Sequence, residues 1–372
     1  MLRRFLSGVR WYVVNMWHWC VTHRRVGSAG SKVVYLDLRE NLWHRYLHIL
    51  VLFLMDQGYT VHLRHRWRFI ASWASHDLFR RSGSFRLYCL REPDPGAWLI
   101  TDRCTSRNHT LIDVDAFRIP GEDGQGLYVP MPMVDTRYIL GLLKMPLPEA
   151  GPDRQRKVFF FGNMDRLAYT REEPSTVFGC FRRAELMDII QRRFADHIHR
   201  PDTVAAIMAD TERYIVLMDR HREYIRPKDL NGVLARFDFF LAPSGVVMPL
   251  CHNMIEAMFA GCIPILQHAH LLEPPLHDGI ECLSFRDEEG LVSTLERIRS
   301  LDPATIKAMR SAVLEYCSKY LTPTAVIGSL EKLRENAGPI HLNGELASVE
   351  RLRTRLDEQG IEGPLPFPAR GQ

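Results

Sequence analysis

The chain has 372 residues, too many for one ordinary hydrophobic core and suited to two domains. Its 46% hydrophobic and 25% charged content is that of a soluble globular protein. A net charge of +4 is too small to imply a nucleic-acid partner, and none is expected.

Residues 1–31 form a basic, aromatic N-terminal segment. No acid precedes Asp37, while Arg3, Arg4, Arg10, Arg24, Arg25 and Lys32 fall in that stretch. The run WYVVNMWHWCV, Trp11 to Val21, is apolar but broken by Asn15 and His18. It is shorter than the roughly 18 to 20 apolar residues of a membrane span. With its tryptophans and basic flanks it suits a helix lying in a membrane interface. It also fits an uncleaved start packed on the protein, or an Arg-rich organellar presequence. Peripheral membrane contact through residues 1–31 is therefore one expectation, with the protein cytoplasmic, at the inner face of a membrane. A second acid-poor run, His62 to Arg91, has Asp77 as its only acid. An anionic or membrane-borne partner should meet this half first, although a solvated basic face fits equally.

From Lys32 the pattern becomes regular. VVYLDL (Val33 to Leu38) reads as a buried strand, and HRYLHILVLFLMDQ (His44 to Gln57) as a helix stopped by Gly58. YTVHL (Tyr59 to Leu63) reads as a second strand. Strand, helix and strand within about 30 residues make a βαβ unit and favour a parallel sheet. Further strands are expected at Phe85 to Leu90, Trp98 to Thr101 and Thr110 to Val114. Residues 32–150 are thus one α/β domain, ending in the proline-dense stretch from Tyr128 that reads as a linker.

The pattern then restarts over residues 151–336. KVFFFGN (Lys157 to Asn163) is a strand entering a glycine turn, and FRRAELMDIIQRRF (Phe181 to Phe194) is an amphipathic helix. FDFFLAP (Phe237 to Pro243) is a strand, HNMIEAMFAG (His252 to Gly261) a helix, and CIPILQ (Cys262 to Gln267) a strand. A helix is expected from Pro303 to Tyr320. Residues 337–372 supply a charged helix (Gly344 to Gln359) and a loosely held tail. The eight cysteines show no C-x-x-C or zinc spacing and read as small buried hydrophobes in a reducing compartment.

Phe237 to Gln267 carries the most information. A loop feeding a helix start at the C-terminal edge of a parallel sheet is where α/β proteins bind ligands, and free N–H groups there favour phosphate. Glu256, about one turn inside, could accept hydrogen bonds from ribose hydroxyls. Asn253 with Glu256 also fits a helix N-cap with an acidic third residue, which would need no ligand.

The run from Asn253 to Leu266, NMIEAMFAGCIPIL, resembles the donor-site helix and strand of GT-B glycosyltransferases, most nearly the exostosin-like and fucosyltransferase-like groups. KVFFFGN followed by Phe181-Arg182-Arg183 is similar, more weakly, to the opening of their C-terminal domain. The likeness spans about residues 157 to 320, and its specific core is 253 to 266. It implies an α/β architecture of two Rossmann-like domains facing across a cleft. Its implied function is transfer of a sugar from a nucleotide-sugar donor to a glycan, glycolipid or glycoprotein acceptor. Lipid-linked acceptors belong to the same expectation. The resemblance gives Glu256 the ribose, and Arg182 or Arg183 the donor diphosphate. Retaining members of a large GT-B group carry a second Glu seven residues earlier. Here that residue is Pro249, which speaks against a retaining mechanism of that type and for an inverting one.

Other residues join by position. Ser244 and Gly245 follow a strand, Gly162 lies in a glycine turn, His252 opens the helix, and Lys228 could reach a phosphate or simply cap a solvated helix end. A general base should follow a strand of the first domain, which makes Asp37, Glu40 and His44 the catalytic candidates. Asp102, His109, Asp113 and Asp115 have similar positions. Asp113-Val114-Asp115 also has the D-x-D form of the metal site in the other glycosyltransferase fold, but the donor signal lies far downstream of it. No cofactor or divalent metal is therefore expected. Two readings compete: another sugar-nucleotide enzyme, and a non-catalytic scaffold of the same build.

Overall fold

Short β-branched and aromatic runs alternate with apolar-faced helices, and the chain folds accordingly into parallel sheets with helical crossovers. The structure is a computed structural model that describes residues 9–10, 13, 32–39, 44–64, 88–89, 97–105, 108–122, 125–129, 138, 141–142, 146–147, 154–208, 212–222 and 224–367. The expectations placed on residues 1–31 and on Glu40 therefore lie outside the described residues, apart from Val9, Arg10 and Val13. No helix among the described residues is long and apolar enough to cross a membrane.

In chain order the elements are β1 (Val33–Asp37), α1 (His44–Asp56), β2 (Thr60–Arg64), β3 (Tyr88–Cys89), β4 (Trp98–Thr101), β5 (Thr110–Asp113) and β6 (Leu127–Tyr128). Next come β7 (Gln155–Gly162), α2 (Arg183–Arg193), β8 (Ile198–His199), β9 (Ile215–Asp219), α3 (Leu230–Leu234), β10 (Phe237–Leu241), α4 (His252–Phe259), β11 (Ile263–Leu266) and β12 (Leu283–Ser284). The chain ends with α5 (Glu288–Ile298), α6 (Pro303–Tyr316), α7 (Pro323–Glu335), β13 (Ile340–His341) and α8 (Leu346–Glu358).

Two compact units result, neither continuous in sequence. The first comprises Met1–Ala116, Asp123–Val129 and Pro323–Gly344; the second comprises Phe117–Glu122, Pro130–Thr322 and Glu345–Gln372. The contiguous segments 32–150, 151–336 and 337–372 read from the sequence are thus redistributed. A widened helical turn, Cys317–Leu321, ends the helix expected to reach Tyr320, and Pro323 starts α7. Pro323 is well suited to a first helical position because it has no N–H to leave unpaired.

The first unit holds a seven-stranded parallel sheet in the order β3-β2-β1-β4-β5-β13-β6. Helix α7 is fastened there: Glu331 Oε1 accepts from Tyr59 Oη at 2.6 Å and from Lys32 Nζ at 2.9 Å. Strand β13 inserts between β5 and β6, with Ile340 opposite both Ile112 and Leu127. His341, at its end, places Nδ1 2.8 Å from Asp113 Oδ1 and Nε2 3.0 Å from the Gln125 carbonyl. Both partners are acceptors, and together they favour the protonated ring over the neutral one. Asp113 Oδ1 also accepts the Asp115 N–H at 2.9 Å, which gives the D-x-D pattern a structural use.

The second unit holds a six-stranded parallel sheet in the order β12-β11-β10-β7-β9-β8. Strands β10 and β11 are buried along their whole length, as befits a sheet covered on both faces. Phe159 stacks on Phe237 at 4.5 Å between neighbouring strands. Strand β9 was not singled out from the sequence, although IVLMD is a short apolar run of the same kind. Cys180, Cys262, Cys282 and Cys317 are buried, and burial pushes the Cys180 and Cys262 thiols up to about 12. The C-terminal tail, expected to be loose, is pinned as far as Leu365, which is buried and donates its N–H to the Val177 carbonyl at 2.7 Å.

Candidate functional site

In the second sheet the chain leaves β7 toward β9 and β8 on one side, then returns to lay β10 and β11 on the other. The order reverses between β7 and β10. At such a switch point the loops beyond the strand ends diverge and leave a crevice at the C-terminal edge. Gly162, Leu241 and Leu266 end β7, β10 and β11 at that edge.

Helix α4 begins there. Its N-cap is Cys251, with no side-chain cap bond and no acid in the first turn. Asn253 is therefore the second helical residue and Glu256 the fifth, which removes the capping-box alternative raised by the sequence. The helix is buried from Asn253 to Phe259, and the half-exposed residues are Cys251 and His252 at its start. A half-exposed start with no side-chain cap bond and no acid in its first turn is an arrangement that favours an anion.

Asn253 packs against the end of β7. Its Nδ2 donates to the Phe161 carbonyl at 3.4 Å, and its buried Oδ1 has no hydrogen-bond partner. A Cβ on Gly162 would lie 3.4 Å from Asn253 Nδ2 and 2.7 Å from Phe160 Cζ. The glycine thus leaves room for the Phe160 ring, while the 3.4 Å to Asn253 is ordinary contact. Glu256, one turn further in, is 4% exposed.

Arg183 does not project outward to a ligand. It is 3% exposed and braces the loops. Its Nε donates to the Ser244 carbonyl at 3.1 Å, Nη1 to the Asn163 carbonyl at 3.1 Å and to Tyr169 Oη, and Nη2 to Cys251 Sγ at 3.4 Å. The cation therefore sits beside the start of α4 and adds to its positive field. Arg182, the cap of α2, is occupied by Glu185 and faces Glu172. Ser244 is buried and donates to the Phe181 carbonyl at 2.9 Å. Gly245 is needed for the backbone, since a Cβ there would lie 2.8 Å from the Met248 carbonyl oxygen. Lys228 is exposed on the turn before α3.

Arg220 carried no signal in the sequence. It follows β9, is exposed, and donates its N–H to the Gly162 carbonyl at 3.0 Å. Only the adjacency of β9 and β7 brings it to the switch point. Nearby, Gln267 accepts the Phe181 N–H at 2.7 Å and donates to the Arg286 carbonyl at 2.9 Å, tying three loops together. Burial pushes His268 down to about 3 and His270 to about 4, so both rings are neutral at pH 7.

Of the first-unit candidates, Asp37 and Asp113 lie at that sheet's own C-terminal edge. Asp37 ends β1, is 4% exposed, and holds Arg64 at 2.8 Å and Arg103 at 3.2 Å on its Oδ2. His44 opens α1.

No family model matches the chain, and no curated protein matches it. Among solved structures, a glycosyltransferase from Rickettsia africae aligns with TM-score 0.48 and 9% identity, over 83% of this chain and 99% of that one. HepE from Anabaena in complex with UDP aligns with TM-score 0.41 and 10% identity, over 82% and 100%. An α1,3-fucosyltransferase aligns with TM-score 0.35 and 12% identity, over 82% and 91%. At such values these likenesses assign neither a reaction nor a residue to this chain.

Proposed function

We propose that the chain is a glycosyltransferase of GT-B type that takes its sugar from a nucleotide-sugar donor held by the second unit. The carrying observation is the half-exposed start of α4, at the switch point beside Gly162, with the buried Asn253 Oδ1 lacking a donor. The helix end and the Arg220 guanidinium suit a diphosphate, and Asn253 Oδ1 suits a hydroxyl of ribose or sugar. Glu256 lies on the same helix, three residues on, and in this reading receives the ribose hydroxyls. Stabilising the departing nucleoside diphosphate at a preorganised positive site is the main chemical contribution of this unit. Transfer is inverting and metal-independent in this reading, and the acceptor is a glycan, glycolipid or glycoprotein.

Thermal unfolding with UDP, GDP, CMP and their sugars tests the reading. At a ligand concentration of about 100 Kd the folded state gains about 2.7 kcal/mol. For a unit of this size that is a rise of about 5–11 °C. One nucleotide should give this rise, and Glu256→Ala should abolish it. A rise that survives the substitution removes Glu256 from the site, and no rise with any nucleotide removes the transferase reading.

The engagement of Asp37 by two guanidiniums favours a second reading, a sugar-nucleotide-binding scaffold without turnover. Nucleotide binding with no release of free nucleoside diphosphate, across acceptors of each class, would select it.

A further inference from the structure

Tyr169 lies in the loop between β7 and α2, is 9% exposed, and is held by Arg183. One guanidinium spans two points: Arg183 Nη1 donates to Tyr169 Oη, and Nη2 donates to Cys251 Sγ at 3.4 Å. The two nitrogens share one planar carbon, so the phenol oxygen is held beside the N-cap of α4. The same guanidinium lies 4.1 Å from the centroid of the Tyr169 ring, which fixes the ring as well as its hydroxyl.

The phenol is half satisfied. A hydroxyl can both accept and donate, and Tyr169 Oη here accepts from a cation. It makes no other hydrogen bond among the described residues, so its proton has no acceptor there. Of the charges acting on it, the Arg183 and Arg220 guanidiniums each outweigh the Asp165 carboxylate, which accepts the Leu167 N–H at 3.0 Å. Burial raises the Tyr169 pKa above its ordinary value by more than the two cations lower it, so the hydroxyl keeps its proton near neutral pH. Donation from Arg183 polarises the phenol and strengthens its O–H as a donor. Such a proton, beside a half-exposed helix start with no side-chain cap bond, calls for an incoming acceptor. The exposed Arg220 and the helix end both favour an anion in that role.

We propose that Tyr169 donates its hydroxyl to a phosphoryl oxygen at the start of α4, alongside Arg220. Resting on the transferase reading, that oxygen belongs to the donor diphosphate. Tyr169 then touches the leaving group, and Arg183 is the positioning residue whose charge reaches the ligand by way of the phenol.

The test uses the full chain and inorganic pyrophosphate, with sodium chloride at equal ionic strength as the control. Iodoacetamide alkylation of Cys251, read by peptide mass spectrometry, locates the anion, because that thiol is half-exposed at the start of α4. Pyrophosphate at about ten times its Kd should slow this alkylation about tenfold. Calorimetric titration gives the Kd itself, and Tyr169→Phe should weaken it about tenfold or more, as befits a lost hydrogen bond to a charged group. An equal Kd in the two proteins, or alkylation of Cys251 unaffected by pyrophosphate, overturns the proposal. Should Tyr169→Phe not fold, Tyr169→3-fluorotyrosine replaces it, since this residue has almost the same shape and is the stronger donor. Tighter pyrophosphate binding then supports the bond, and an unchanged Kd overturns it. Pyrophosphate binding that depends on Tyr169, with no response to any nucleotide, would leave the phosphoryl site standing and the transferase reading lost. Nucleotide binding undiminished by Tyr169→Phe would keep that reading and remove Tyr169 from the site.

Discussion

Replacing Arg183 with Met tests whether the loops of the second unit depend on one buried cation. The side chain ties the carbonyls of Asn163 and Ser244, the Tyr169 hydroxyl and the Cys251 sulfur. Methionine fills a similar volume and donates nothing. Three oxygens, two of them buried and that of Asn163 half-buried, then lose a charged donor, at about 1–3 kcal/mol each taken separately. Such losses are not additive, and removing a buried cation returns part of its desolvation cost. A net loss of about 3 kcal/mol is expected. At about 2–4 °C per kcal/mol for a unit of this size, the unfolding temperature should fall by about 6–12 °C. Arg183→Lys keeps the charge but cannot span the loops from one ammonium, so it should recover only part of the loss. Differential scanning calorimetry of the three proteins gives the comparison. A fall below about 1 °C in Arg183→Met would refute the bracing role, since a strut with four partners cannot be removed without effect.

His341 predicts a pH dependence in the first unit. Burial lowers its pKa, but the bonds to Asp113 and the Gln125 carbonyl, with the charges of Asp113 and Asp115, outweigh it and leave a net rise. The unfolded value is near 6.5, so the contribution is complete below about pH 6.5 and is lost as pH rises through the higher folded value. Unfolding temperature should decline over that alkaline range in the wild type, and His341→Gln should abolish this component; an unchanged profile would contradict the stabilisation of the protonated ring. Gly126→Ala should loosen β13, because its Cβ would lie 2.6 Å from the Pro339 carbonyl oxygen and 2.8 Å from His341 Nε2, at a φ of 109°. A cost of about 1–3 kcal/mol is expected by chemical denaturation, and a neutral result would remove the close contact from the account. The N-terminal segment is tested by sedimentation with anionic vesicles at low salt, where recovery in the supernatant would end the membrane expectation.

The strands VVYLD, VFFFG, FDFFL and IPIL were legible because buried parallel strands are short apolar runs, and Gly58 and Gly261 marked helix ends. The run around Asn253 and Glu256 was legible as a helix start at a strand edge. Its capping was not, because Asn253 permits a cap in sequence whereas the loop from Ser244 decides where the helix begins. Arg183 could be named as a phosphate ligand or a strut with equal right; only the convergence of three carbonyl and hydroxyl oxygens on one guanidinium decided for the strut. Arg220, His341 and the Arg64–Asp37–Arg103 cluster were hidden because they join residues far apart in the chain. Local sequence thus determined which segments would bury and in what secondary structure, since periodicity and turn chemistry act over a few residues. Strand order determined which charges meet at each sheet edge, because long-range pairing has no periodic trace in the sequence.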